Sequence, residues 1–184
     1  MRSIYWFRND LRLNDNLSLN LALAKSDAIL FVYVYDIANE KNCPWGFERL
    51  GQHRRLFLSQ GLAELKEKLS KSGHSLNTYV DDSVTVLADL VKKHKIDTIF
   101  CESIVSYDEA KQIEGLKAQG INVNSLWQSS LFSNDQLPFD INDLPNVFTN
   151  FRKAIELSGI KPNKPVNTPE KLFNTDSITD NHLV

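Results

Sequence analysis

The chain has 184 residues, enough for one globular domain with a buried core and too few for two of ordinary size. An apolar fraction of 42% with a charged fraction of 24% excludes a disordered or membrane-embedded chain. A formal charge of -2 offers no overall basic field for nucleic acid, so any DNA contact by this chain alone is expected to be local and weak.

The first strand candidate is Ser3 to Phe7, followed by the turn Arg8 to Asn16, in which Arg8, Asp10 and Arg12 can form an ion network and Asp15 or Asn16 can cap the next helix. These charges leave no room for a signal-peptide apolar region. The second strand, Ile29 to Tyr35, lies in the longest uncharged apolar run, which falls far short of the roughly 20 residues needed to cross a bilayer. A cytoplasmic protein without a membrane partner is expected. Cys43 and Cys101 are isolated, as suits reduced thiols better than a disulfide framework.

A helix is predicted from about Phe47 to Ser72, with Leu58, Leu62, Leu65 and Leu69 on one face and Gly73 as its left-handed cap. A strand at Leu76 to Val80, a helix at Val84 to Lys95 and a strand at Thr98 to Cys101 repeat the design. Ser106 can cap a helix running to Ala118, with Gly120 after it, and Asn122 to Leu126 is the last strand. Alternating strands and helices joined by right-handed crossovers predict an α/β fold, a Rossmann-like doubly wound five-stranded parallel sheet with helices on both faces. Ligands then belong beyond the strand carboxyl ends. Residues 1–160 make this domain, and residues 161–184, with Pro162, Pro165 and Pro169, read as a polar linker or tail joined to nothing further.

Several chemistries lack their residues. The first glycine is Gly46, so the first turn holds neither a dinucleotide fingerprint nor a P-loop. The four histidines are scattered and no pair has zinc-ligand spacing, so no metal is expected. No nucleophile elbow appears, and no catalytic residue is assigned.

The segment Tyr5-Trp6-Phe7-Arg8-Asn9-Asp10-Leu11-Arg12-Leu13-Asn14-Asp15-Asn16 resembles the opening of DNA photolyases and cryptochromes. Gly51 to Leu58, and above all LPFDINDLPNVFTNFRKAIE within Leu126 to Glu156, resemble the DASH branch. Asn146 stands where that pattern has Asp, and Asn150 where it has Gln. The resemblance covers about residues 1 to 160. It implies an amino-terminal domain that binds a light-harvesting antenna chromophore, commonly methenyltetrahydrofolate and in some branches a deazaflavin or flavin. The chromophore passes energy to FAD in a separate helical domain, which is missing from these residues. In the parent, that flavin drives pyrimidine-dimer repair or blue-light sensing, and DNA is met only through the parent. Taken alone, this chain is expected to be inactive.

The resemblance also implies site residues. Glu109 looks like the acid that hydrogen-bonds the pterin ring, because a pterin edge presents adjacent N–H donors to a carboxylate. Asp108 and Glu109 equally suit the first turn of a helix capped by Ser106. Trp45 and Asp36, after the second strand, are candidates for packing over or holding the antenna, and Trp45 can equally close a hydrophobic lid. Cys101 either lines the pocket or is a small buried hydrophobe, and Arg8 either meets ligand or braces its turn. Phe148, Phe151, Arg152 and Lys153 fall on a helix starting near Asn146, which in the family leads toward the flavin domain. A stand-alone nucleotide-binding or regulatory interaction module on the same fold is the competing function.

Overall fold

The computed structural model describes residues 1–180. Five strands, β1 (Arg2–Phe7), β2 (Ala28–Asp36), β3 (Leu76–Asp81), β4 (Thr98–Glu102) and β5 (Val123–Leu126), lie in the order β3-β2-β1-β4-β5, every pairing parallel. Four helices, α1 (Leu17–Lys25), α2 (Gln52–Lys71), α3 (Ser83–His94) and α4 (Tyr107–Ala118), are the crossovers between them. A fifth, α5 (Phe148–Ser158), follows the sheet.

Alternation along the strands decides which helix covers which face. Ile4 and Trp6 of β1, with Leu30, Val32 and Val34 of β2, point to one side, where α3 supplies Leu87 and Leu90 and α4 supplies Ile113 and Leu116. Tyr5 and Phe7, with Ile29, Phe31 and Tyr33, point to the other, where α1 supplies Leu19, Ala22 and Leu23 and α2 supplies Leu65 and Leu69. With both faces covered, the inner strands carry near-continuous apolar runs. The doubly wound α/β sheet expected from the sequence is present.

Helix ends follow their local chemistry. Asn16 caps α1, its side-chain oxygen accepting from the Leu19 amide at 3.0 Å. Gly73 follows α2 at φ 82°, where the Leu69 carbonyl receives the His74 amide at 3.0 Å. The predicted start of α2 at Phe47 was too early by five residues. Gly46 at φ 86° and the turn that returns the Cys43 amide to the Phe47 carbonyl keep residues 43–47 outside the helix, which begins after Gly51.

The carboxyl-terminal segment corrects a second expectation. Residues 170–180 pack on the domain rather than leave it as a linker. A turn at Glu170–Phe173 buries Leu172 beneath the α1/α2 face, and β6 (Asp176–Ser177) pairs with Ala28 and Ile29 of β2, making a sixth strand. His74 meets the Leu172 carbonyl at 2.7 Å. Asp180 accepts from Tyr79 at 2.6 Å, from His94 at 2.7 Å and from Lys93 at 2.6 Å. Low periodicity hid this strap, because its anchors are single residues rather than a helix or strand face.

Candidate functional site

In this strand order, β4 returns to the side of β1 opposite β2, so the connections after β1 and β4 diverge and leave a crevice at their carboxyl ends. Its wall is set by Arg8, the first residue after β1. Burial holds the Arg8 pKa below its ordinary value. Its guanidinium lies 4.5 Å from the Trp6 ring centroid and donates to the Glu109 carbonyl at 2.9 Å and the Gln112 side chain at 2.8 Å. Gln112 donates in turn to Asp36 at 2.9 Å.

Asp36 is already engaged. One carboxylate oxygen caps the turn after β2 through the Ala38 amide at 2.8 Å, and the other accepts from the Ser83 hydroxyl at 2.8 Å and from Gln112. Burial works to raise its pKa, but these hydrogen bonds outweigh it and leave the pKa lowered. Arg8, Gln112, Asp36 and Ser83 thus tie the ends of β1 and β2 to α4 and α3. Asp36 borders the crevice as a brace, with few lone pairs left for a ligand.

The expected ion network among Arg8, Asp10 and Arg12 is not what the turn contains. Asp10, 1% exposed, is a hydrogen-bond hub that accepts from the Arg8 amide at 3.0 Å, the Tyr5 hydroxyl at 2.5 Å, Asn16 at 3.1 Å and Gln128 at 3.0 Å. With Arg8 drawn to α4, no carboxylate among the described residues forms an ion pair with it.

Glu109 sits in the first turn of α4, half-buried, with its backbone carbonyl held by Arg8. Its carboxylate makes no hydrogen bond or ion pair among the described residues, although its charge acts on Arg8. It borders a crevice of about 300 Å³ lined by Tyr33, Asn39, Arg54, Phe57 and Leu58 as well as Arg8, at the lower end of small-molecule sites. A smaller recess continues from it to Asp36, Ser83 and Gln112.

Other expected site residues fall elsewhere. Asp108 pairs with Arg49 on the surface. Trp45 is 80% exposed and stacks on Phe47 with centroids 6.2 Å apart, apart from the crevice. Cys101 is fully buried between β1 and β5, its thiol pushed up to about 12 by burial, and it does not line the crevice beside Glu109. It is the small core hydrophobe of the two readings, because the inward side of β4 faces α4 rather than the crevice.

Sequence reading missed Tyr33, Asn39, Arg54, Phe57 and Gln112. One signal was available: Gln112 is three residues after Glu109, so the two share a face of α4. Arg54, Phe57 and Leu58 share a face of α2 in the same way. Among the described residues no group of three His, Cys, Asp or Glu side chains is placed to hold a metal, and no helix is long and apolar enough to cross a membrane.

The fold and crevice define an α/β domain of the doubly wound class with an open crevice at its switch point. The chain belongs to the DNA photolyase family, whose model matches residues 3–170. It is 35% identical over 158 residues to the blue-light photoreceptor PHR2 of Arabidopsis thaliana, covering 84% of this chain and 35% of that protein. It is 35% identical over 179 residues to the cryptochrome DASH of Synechocystis, covering 95% and 37%. The crystal structure of the Synechocystis cryptochrome superposes with a TM-score of 0.87 at 34% identity, over 92% of this chain and 36% of that one. The DASH resemblance in the sequence is thereby supported across most of the chain. An archaeal photolyase of Sulfolobus tokodaii, solved with two FAD molecules, shares the fold at a TM-score of 0.77 and 24% identity. The chain spans about a third of the length of the curated relatives it matches.

Proposed function

We propose that this domain binds a light-harvesting antenna chromophore in the crevice bordered by Glu109, within a photolyase- or DASH-type parent. Methenyltetrahydrofolate is the chromophore whose chemistry suits the lining. Bound there, it supplies near-ultraviolet absorption. The single observation that carries the reading is a half-buried carboxylate without a hydrogen-bond or ion-pair partner among the described residues, held by a backbone that Arg8 fixes at 2.9 Å. Such a group fits the adjacent N–H donors of a pterin edge. Tyr33 and Phe57 offer aromatic surface, and Arg54, which has no ion-pair partner among the described residues, suits an anionic tail. At about 300 Å³ the crevice would hold the ring system, with the rest of the cofactor beyond its rim. Asp108 and Trp45 stand outside the crevice, and Asp36 and Arg8 shape the wall rather than hold the ring.

The further parts of the reading follow the family. FAD, repair or signalling, and DNA belong to the parent's helical domain, the partner for which the exposed helix α5 is suited: none of its residues is buried, and Phe148 is 74% exposed. Residues 1–160 would be the antenna domain proper, with the strap after it as part of the same packed unit. A cytoplasmic location accords with the free thiols Cys43 and Cys101.

The test is to incubate the full chain with methenyltetrahydrofolate, and separately with a flavin, and to follow absorption through gel filtration. Co-elution of methenyltetrahydrofolate, lost at least tenfold in Glu109→Gln, is expected. Co-elution of the flavin alone replaces the chromophore assignment, and co-elution of neither overturns antenna binding by this domain.

A further inference from the structure

Beyond the Asn9 and Ile104 ridge, on the side of the β1 turn away from Glu109, lies a second groove of about 600 Å³. Its walls are Arg12, Ser103, Trp127, Gln128 and Ser129, and Glu102 forms its floor. Register explains the grouping. Glu102 ends β4 opposite Leu126 of β5, so Trp127 is the next residue out of the sheet beside it.

Glu102 is the unusual member. It is 2% exposed, yet only one of its carboxylate oxygens is satisfied, accepting from the Ser129 hydroxyl. The other, Oε2, is buried without a hydrogen-bond partner. A buried carboxylate oxygen left in this way has given up its solvation with nothing in return, which calls for a reason. Burial raises the Glu102 pKa, the response of a carboxylate short of donors, although Arg12 and Arg8 lie close enough to oppose the shift. Arg12 spends its Nε on the Asp15 carbonyl at 2.9 Å, leaving its terminal nitrogens without a partner among the described residues. Trp127 is half-buried in the wall, and among the described residues Ser129, exposed, is the only group that covers the Glu102 carboxylate with a hydrogen bond.

The geometry points to a second ligand site, distinct from the antenna crevice, in which Glu102 receives the paired N–H donors of a 2-amino-4-oxopyrimidine edge, the edge of a guanine nucleotide. A ring edge that displaces the Ser129 hydroxyl meets both carboxylate oxygens, and guanine presents two parallel N–H donors to them. The Trp127 indole gives the flat ring an aromatic wall. Arg12 stands ready for the phosphate as a planar, charged donor. An adenine ring has no N–H at the position corresponding to guanine N1 and no 2-amino group, so it leaves the carboxylate unpaired. A free pterin carries the same edge as guanine, and the two sources are separated by experiment.

Isothermal titration calorimetry of the full chain with guanosine 5'-monophosphate, adenosine 5'-monophosphate and 6-hydroxymethylpterin is the test. Saturable binding of the guanine nucleotide is expected, with adenosine 5'-monophosphate at least tenfold weaker. Glu102→Gln should lose this binding at least tenfold, Arg12→Ala should weaken the nucleotide and leave the pterin unchanged, and Glu109→Gln should alter neither at this site. Binding of the pterin but not the nucleotide, lost in Glu102→Gln and kept in Glu109→Gln, assigns the same site to a pterin. Equal affinity for the guanine and adenine nucleotides, no saturable binding of nucleotide or pterin, or unchanged affinity in Glu102→Gln overturns the site. The adenine comparison uses unaltered protein, so it decides even where a variant does not fold. Failure of the antenna reading is distinguishable, since that reading depends on Glu109 and this one on Glu102.

Discussion

At the end of β1, Asp10 accepts hydrogen bonds from the Arg8 amide, Tyr5, Asn16 and Gln128, while at the start of α4 Glu109 accepts none within the described protein. Both carboxylates stand at the carboxyl ends of neighbouring strands, and Arg8 touches the backbone of one and lends its own amide to the other. The first is a closed network, in which both carboxylate oxygens have partners inside the fold. The second is open toward a crevice. A closed polar network specifies the turn and loses stability when cut; an open carboxylate contributes little to folding and is free for a ligand. The motif most legible in the sequence, Trp6 to Asn16, is the closed one.

This contrast sets the order of expected effects. Asp10→Ala takes the acceptor from the Arg8 amide and removes one of two acceptors from each of Tyr5, Asn16 and Gln128, and a loss of about 3 kcal/mol in urea unfolding is expected. A loss under about 1 kcal/mol would put Asp10 outside the brace. Leu172→Ala, in the strap read from sequence as a linker, should cost about 2–4 kcal/mol by the same measurement, since Leu172 is 1% exposed. A freely solvated linker gives no change there.

The strap also carries a pH signature. Burial works to raise the Asp180 pKa, but hydrogen bonds from Lys93, Tyr79 and His94 outweigh it and hold the carboxyl at about 2, below the unfolded value of 3.8. A depressed folded pKa means that the stabilisation is fully present above about pH 4 and is lost as pH falls through 3.8 toward 2. Asp180→Asn should therefore flatten the acid limb of a stability-against-pH curve in that window, and an unchanged limb would remove Asp180 from the strap's anchoring.

The smallest effects belong to the open region. Glu109→Gln should leave unfolding free energy within about 0.5 kcal/mol while lowering chromophore affinity at least tenfold. A variant that loses stability by several kcal/mol instead would move Glu109 into the structural class with Asp10. Trp45→Ala, in an exposed loop, should change stability by less than about 0.5 kcal/mol and leave chromophore binding as it was.

Much of the fold could be read along the chain because each strand and helix carries its own periodicity. Ile4 and Trp6 against Tyr5 and Phe7 already divide between two faces, and Leu58, Leu62, Leu65 and Leu69 already form one helical stripe. Gly73 and Gly120, at φ 82° and 77°, mark two helix ends with a conformation that suits glycine. The start of α2 was less legible, since Phe47 continues an apolar pattern that the turn at Gly46 interrupts. Of the candidate site, Glu109 and Arg8 were found through family likeness, whereas Gln112, Tyr33 and Arg54 come from three different elements and meet only in the fold.

What the sequence determined by itself was the alternating α/β order, the two-faced sheet and the photolyase-type turn after β1, because local spacing and side-chain type are enough to fix them. Tertiary structure decided which acids are open. Asp10, Asp36, Asp108 and Glu109 are chemically alike along the chain, and only packing determines that the first two are used as braces, the third pairs with Arg49, and the last faces a crevice. The same packing buries Cys101, docks Leu172 and leaves Glu102 with an oxygen unpaired. The availability of a hydrogen-bonding group depends on partners brought from distant parts of the chain, and no local pattern records them.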